Sequence, residues 1–369
     1  MKIDAEFIPG LEGVIAAETE ISLLVTEEEK IVIKGYDLIE LSKDKDYLDI
    51  VHLLLADQLP NQDEKIRVEE RLQDGYLIPS VVLEVLELLP KETHPMDSLR
   101  TGISILAGYD EQIDDRSLDT TMNQAYDLIA KVPTITANSY RILSNQKVIQ
   151  PNRNLSYSAN FLYMITGKIP SEEAAHIFDR SLLLYSEHEM PNSTFTARVI
   201  ASTNSDIYGA LTGAVSSLKG NLHGGANESV MYTLLEADSV PAYEELLMKK
   251  LYRKEKVMGF GHRVYMKKMD PRALIMKQLL KQLCEKKGDS ILLEMCQAGE
   301  KLMQEEKGIY PNLDYYAAPV YWMLGIPIKL YTPIFFCART VVLCAHIIEQ
   351  YQNNRLYRPR VNYIGEPYD

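Results

Sequence analysis

Apolar residues recur along most of the chain at intervals of three and four, the period of a helix with one buried face. In YLDIVHLLLADQLP, Leu48, Val51, Leu54 and Leu55 share a face and the pattern stops at Pro60. The same spacing predicts helices over 78–89, 97–107, 118–130, 134–144, 154–166 and 171–187. It continues over 194–218, 225–237, 241–252, 271–285, 289–305, 312–323 and 334–352. The breaks carry Pro, Gly, Asn or Asp, as at Pro151, Pro170, Pro241, Pro311 and Pro327. Residues 1–36 differ: LEGVIAAETEISLLV and KIVIKG are short and rich in β-branched residues, and the acidic run Glu27-Glu28-Glu29 separates them. That pattern predicts a short N-terminal β hairpin. The expected fold class is all-α, with about 14 or more helices.

Composition changes this picture little. The chain has 369 residues, 46% hydrophobic and 25% charged, as in ordinary globular proteins. Its length suggests roughly two domains. Charge is more informative: 39 Lys+Arg against 52 Asp+Glu give a net −13. An acidic chain is a poor partner for nucleic acid or an anionic membrane surface, both of which need a basic stripe. A small anion needs only a local cluster of Arg or Lys. Cys284, Cys296, Cys337 and Cys344 form no Cys-x-x-Cys pair and sit in apolar or helix-like stretches, which reads as reduced core thiols. MKIDAEFIPG lacks the apolar core of a signal peptide, and Arg339 and His346 interrupt the longest apolar stretch. The expected location is the cytoplasm.

No phosphate loop, G-x-S-x-G elbow, G-x-G-x-x-G or H-E-x-x-H motif is present, so nucleotide hydrolysis, Rossmann redox chemistry and zincin proteolysis lose support. The chemistry should sit where the helical pattern is interrupted. His223 lies in KGNLHGGANE, where paired glycines permit close approach and the following helix start favours a developing oxyanion. A capping histidine in a glycine turn is the plain alternative. His262 in KVMGFGHRVY stands on a second glycine-rich loop, near Lys256, Arg263, Lys267 and Lys268. Such a stretch could hold a phosphate-bearing ligand, or could be a solvated basic loop. His188 ends an apolar helix between Glu187 and Glu189; a core or capping histidine satisfied by a carboxylate is the plain alternative to a site residue. Asp314 in YPNLDYYAAPVYW is surrounded by aromatic residues that would raise its pKa, as a general base needs; a first-turn helix carboxylate is the alternative. Arg272 at a helix start, Arg339 inside IFFCARTVVLC and Arg358 in YRPRVNY are each commonly structural residues; as a set they suggest a dicarboxylate site.

In sequence order, LKGNLHGGANESVM, KVMGFGHRVY, MDPRA, NLDYYAAPV and FFCARTVVLC resemble the citrate synthase family. PGLEGVIAAETEIS, HEMPNSTFTARVIAST and RLYRPRVNYIG extend the resemblance over nearly the full chain. It implies a homodimer whose large helical domain, 1–224 and 326–369, carries an inserted small helical domain, 225–325. It also implies condensation of an acyl-CoA with oxaloacetate followed by thioester hydrolysis. Asp314 would be the base, His223 the donor to the thioester oxygen, and His262 the group that polarises the keto carbonyl. His188, Arg272, Arg339 and Arg358 match the oxaloacetate ligands, with Arg358 reaching in from the partner subunit. Lys256, Val257, Met258, Gly259 and Phe260 match the segment lining CoA. No metal or redox cofactor is implied, and acyl-CoA is a substrate. SEHEMPNSTF and the VYMKKMDPR link depart slightly from the common pattern, near the CoA and acyl contacts. The chain begins close to the core motif, which predicts a simple dimer without NADH regulation. The segments look most like bacterial 2-methylcitrate/citrate synthases of the Gram-positive type, so propionyl-CoA is expected beside acetyl-CoA. A non-catalytic helical binding protein would have lost a catalytic residue. A metal site built from His188, His223, His262 and Asp314 would have to draw on segments far apart in sequence.

Overall fold

Period-three-and-four packing dominates the molecule. The computed structural model describes residues 7–28, 30–220, 223–262, 265 and 268–366. Among them, β1 (Ser22–Val25), β2 (Lys30–Ile33) and β3 (Tyr36–Asp37) form one antiparallel sheet in that order. Ser22 pairs with Ile33 and Val25 with Lys30, so the predicted hairpin is present and Tyr36–Asp37 adds a third edge. Ile31 and Ile33 point into the core on alternate positions, as a half-buried strand requires.

Sixteen α-helices follow among the described residues. They are α1 (Leu38–Asp44), α2 (Tyr47–Ala56), α3 (Gln62–Gly75), α4 (Ser80–Glu87), α5 (Pro95–Ala107) and α6 (Leu118–Leu143). Next come α7 (Tyr157–Thr166), α8 (Glu172–Tyr185), α9 (Asn192–Ala201), α10 (Ile207–Lys219) and α11 (Ala226–Leu235). The last are α12 (Val240–Tyr252), α13 (Pro271–Lys287), α14 (Ile291–Lys307), α15 (Leu313–Met323) and α16 (Tyr331–Gln352).

Three boundaries differ from the sequence pattern. The continuous 194–218 reading splits into α9 and α10: Asn204 adopts φ +62 and the Asp206 carboxylate caps the Gly209 N–H at 2.7 Å, which restarts the helix. The separate readings 118–130 and 134–144 are one helix, α6. Pro133 lies inside it, buried, where packing against α16, α5 and α3 outweighs the missing N–H. Helices α1 and α3 carry few buried residues and escape a search for apolar periodicity.

Helix α16 is long and apolar enough to cross a membrane, yet 94% of its most apolar window is buried inside the protein. It packs against α6, α10, α9 and α8 and is the central core helix. Helices α11 to α15 pack mainly on one another: α13 on α15, α12 on α14, and α11 on α15. They meet the rest chiefly where α11 touches α16 and α13 touches α8. The four cysteines are free thiols in the core.

Candidate active site

The helix interruptions converge where these two helix groups meet. Helix α8 ends at Tyr185, and the chain then carries Glu187, His188 and Glu189, the last at φ +58. A left-handed backbone at a non-glycine residue is strained and is held by its surroundings. Glu187 is fully buried; its Oε1 accepts a 2.8 Å hydrogen bond from the Ser22 hydroxyl, which ties the sheet to this loop. Burial pushes its carboxyl up to about 7, against the pull of Arg339. The His188 Nε2 is buried with no hydrogen-bond partner among the described residues. That nitrogen is therefore available to a ligand polar group.

His223 sits in the turn that enters α11, with Gly225 at φ +81 as the N-cap. The Ser193 N–H donates to its Nε2 at 3.3 Å and the Ser193 hydroxyl lies at 2.9 Å, which assigns the ring proton to Nδ1. Gly224 is required here, since a Cβ would stand 2.3 Å from the Leu218 carbonyl oxygen. Burial, then the Arg339 charge, lowers the His223 pKa to about 4.

His262 lies across from His188, ring centroids 4.7 Å apart in edge-to-face contact. The Tyr265 N–H approaches its Nδ1 at 3.4 Å, favouring a proton on Nε2. Burial and the nearby Arg272 also lower this histidine to about 4. His188 is held well below its ordinary value by burial, Arg272, Arg339 and His262. All three imidazoles are therefore neutral at physiological pH.

Asp314 occupies the first turn of α15, half-buried among aromatic side chains, and the Asn312 side chain caps its N–H at 3.1 Å. The Tyr185 hydroxyl donates to Asp314 Oδ1 at 2.6 Å. Burial raises the carboxyl, while the Tyr185 bond, Arg272 and Arg339 pull it back down. Arg272 is buried and paired with Asp270 at 2.8 Å, the residue that also caps α13. Arg339 is buried on α16; its Nε donates to the Tyr185 carbonyl at 2.8 Å and its guanidinium lies 4.8 Å from the Phe335 ring centre. Burial lowers Arg339 to about 10, and it remains a cation.

The structure thus places His188, His223, His262 and Asp314 each within electrostatic reach of Arg272, Arg339 or both. Arg358 stands apart: it is exposed on the C-terminal tail, along a groove of about 1300 Å³ lined by none of those six. The 256–260 segment is mixed. Lys256 is exposed, whereas Val257 and Phe260 are buried, Phe260 against Tyr315 at 4.3 Å between ring centres. Gly259 adopts φ +86, and its carbonyl accepts from the Asn312 N–H at 2.9 Å, so this loop and the start of α15 are one unit. Arg263 and Lys267 of the basic stretch lie outside the described residues. Among the described residues no three His, Cys, Asp or Glu side chains group as a metal site. Three further histidines serve structure: His52 Nδ1 bonds the Gln58 carbonyl at 2.8 Å, His94 caps α5, and His346 meets Arg198 at 2.9 Å in the core.

Sequence reasoning missed Tyr185, Glu187 and Ser193 as site members. The first two lie just before His188 at the end of α8, where an aromatic and a carboxylate read as core and cap.

A desolvated carboxylate, neutral imidazoles and two buried guanidiniums around one centre are the groups that removal of a proton next to a carbonyl, and stabilisation of the resulting oxyanion, call for. Comparison with known proteins specifies the class. The model of the citrate synthase C-terminal domain matches residues 10–360. The chain is 66% identical over 368 residues to the citrate/2-methylcitrate synthase of Bacillus subtilis, covering 100% of this chain and 99% of that protein. It is 64% identical to the citrate synthase of Heyndrickxia coagulans, covering 98% and 96%. The crystal structure of citrate synthase from Pyrobaculum aerophilum superposes with a TM-score of 0.91 at 35% identity, covering 98% of this chain and 93% of that one. A Thermoplasma acidophilum citrate synthase, solved with carboxymethyl coenzyme A and oxaloacetate, gives 0.91 at 32% identity, covering 99% and 97%. The chain belongs to the citrate synthase family and is an acyltransferase of that type.

Proposed function

We propose that this enzyme joins either propionyl-CoA or acetyl-CoA to oxaloacetate and hydrolyses the thioester, releasing CoA with 2-methylcitrate or citrate. The observation that carries the assignment is Asp314: a desolvated carboxylate within reach of the charges of Arg272 and Arg339. The B. subtilis relative, named for both products, supports the dual substrate range.

Asp314 takes a proton from the carbon beside the thioester. His223 donates its Nδ1 proton as a hydrogen bond to the thioester oxygen, where negative charge grows. A neutral imidazole suffices, and the adjacent helix start favours the oxyanion. The enol carbon then adds to the keto carbon of oxaloacetate, forming the C–C bond. His262 polarises that carbonyl and delivers the proton to the new alkoxide. Arg272, Arg339 and His188 hold the oxaloacetate carboxylates and carbonyl. Water then cleaves the thioester. The thioester itself acidifies the neighbouring C–H, so the step calls for no metal or redox cofactor.

CoA is proposed to lie along 256–260. Lys256 and the backbone would face it, while Val257 and Phe260 shape the loop from inside. Residues 225–325 would close on 1–224 and 326–369 as a unit, excluding water from the enol. The assembly proposed is a cytoplasmic homodimer, with Arg358 of one subunit completing the site of the other. Its support is the exposed apolar surface at both chain ends, including Ile15, Val361, Tyr363 and Ile364.

One methylene in an acyl pocket is worth only about 1–3 kcal/mol, so both acyl-CoAs should turn over. CoA release with each, compared as kcat/KM, tests this; absence of turnover with propionyl-CoA refutes the dual range. Asp314→Ala should lower kcat by about 10²–10⁴-fold while oxaloacetate still binds. Near-normal turnover would remove Asp314 as the base.

A further inference from the structure

Tyr185 enters the site twice. Its backbone carbonyl accepts from Arg339 Nε at 2.8 Å, and its phenol donates to Asp314 Oδ1 at 2.6 Å. The ring is fixed by Phe335, 4.9 Å away between centroids, and by Tyr321 at 6.4 Å. Asn227, in the first turn of α11, lies beside the phenol. The residue is 1% exposed, so no water competes for the hydroxyl. It belongs to the end of α8, whereas Asp314 belongs to α15, so this one bond joins the two helix groups at the reacting carboxylate.

We propose that Tyr185 is a positioning residue for the enolisation step: its hydroxyl occupies Oδ1 of Asp314 and leaves Oδ2 as the proton acceptor. The inference rests on Asp314 being the base. A carboxylate that can rotate presents either oxygen, at variable distance, to the C–H. One pinned by a short O–H···O bond presents a single oxygen in a fixed direction. The bond also favours the ionised carboxylate, which a base needs, against the desolvation that favours the acid. Burial holds the phenol well above its ordinary value, so it remains a donor.

The other charges around Asp314 are accounted for. Arg272 and Asp270 face it from the start of α13 and Arg339 from α16. Glu228 on α11 is engaged by Thr332, and Glu300 on α14 by Tyr316 and Lys277. His223 is neutral in this range. Removing the Tyr185 hydroxyl alone leaves all of these in place.

The test is Tyr185→Phe, measured as kcat against pH with saturating substrates, together with proton exchange at the acyl-CoA α-carbon. The acid limb of kcat should move up by about one pH unit. Exchange should fall about tenfold at neutral pH, with KM for oxaloacetate little changed because the backbone carbonyl still holds Arg339. A variant with lower thermal stability but an unmoved acid limb and normal exchange overturns the proposal. Site-specific 3-fluorotyrosine at position 185 keeps the shape and makes the phenol a stronger donor. It should move the acid limb down, and it serves if the Phe variant does not fold; no shift there also overturns the proposal. Turnover in Asp314→Ala would instead refute the base assignment, so the two failures are distinguishable.

Discussion

Gly259 offers the sharpest test of how the loop before His262 is built. Two effects act at this position. Its φ of +86 is strained for any residue with a Cβ, at about 1 kcal/mol. A Cβ would also stand 2.6 Å from Val230 Cγ2 and 2.9 Å from Tyr315 Cδ2, contacts no real side chain tolerates. Val230 and Tyr315 are themselves buried, so relief requires moving the loop, and overpacking of this kind costs about 1–3 kcal/mol. Gly259→Ala should therefore lose about 2–4 kcal/mol in total. Gly261 supplies the internal control: its φ is +75, and nothing lies within 4 Å of its Cβ position. Gly261→Ala carries the backbone strain alone, about 1 kcal/mol. The assay is the melting temperature of both variants by calorimetry, with kcat and KM for acyl-CoA. Displacing Gly259 also disturbs its carbonyl bond to Asn312, the residue that caps Asp314, so kcat should fall with stability. Equal melting temperatures and equal kcat for the two variants would refute the packing argument.

Two pH profiles follow from the site's buried charges. His223 and His262 are lowered to about 4 in the folded protein, against about 6.5 unfolded. The unfolded chain binds more protons between those values, so stability falls as pH drops from 6.5 towards 4. At pH 5 the loss is about 2 kcal/mol per histidine, and His262→Asn should remove its share from the melting temperature–pH curve. An unchanged curve would contradict the neutral assignment. Glu187, raised to about 7, acts in the opposite direction: the folded state binds the extra proton, so stability falls as pH rises from about 4.5 to 7. Glu187→Gln should flatten that decline, and an identical slope between pH 5 and 7 would show that the carboxyl does not titrate there.

The fold class was legible because most helices bury a full stripe, and buried stripes leave a period in the sequence. Helix α3 did not, since only Val68, Leu72 and Gly75 are buried. Its signature was the capping box instead: Asn61 and Glu64 bond each other's backbone N–H groups at 3.0 and 2.8 Å. The α9–α10 break was hidden because Asn204 and Asp206 interrupt an otherwise unbroken helical period. The site was legible at the residues that stand out from that period, namely His223, His262, Asp314 and Arg339. Tyr185 and Glu187 were not, because an aromatic and a carboxylate at the end of an apolar helix look like core and cap. Their roles depend on what crosses from α15, α16 and β1, and no local spacing encodes that.

The charge balance acquires a different meaning at the site. The molecule carries −13 overall, yet its centre holds Arg272 and Arg339 with little surface to screen them. Their field has opposite uses: it discourages protonation of His188, His223 and His262, and it favours the ionised form of Asp314 against burial. Both effects suit a site that must first remove a proton and only afterwards supply one. An oxaloacetate dianion seated on the two guanidiniums would cancel part of that field. Asp314 would then become the stronger base, because its carboxylate loses cationic support, and His262 would become the easier group to protonate. The same pair of arginines that would hold oxaloacetate would thereby adjust the two proton-transfer groups, Asp314 acting on the acyl-CoA and His262 on the keto carbonyl. This coupling requires Arg272 and Arg339 to be buried, since exposed guanidiniums at the same distances would be screened by solvent.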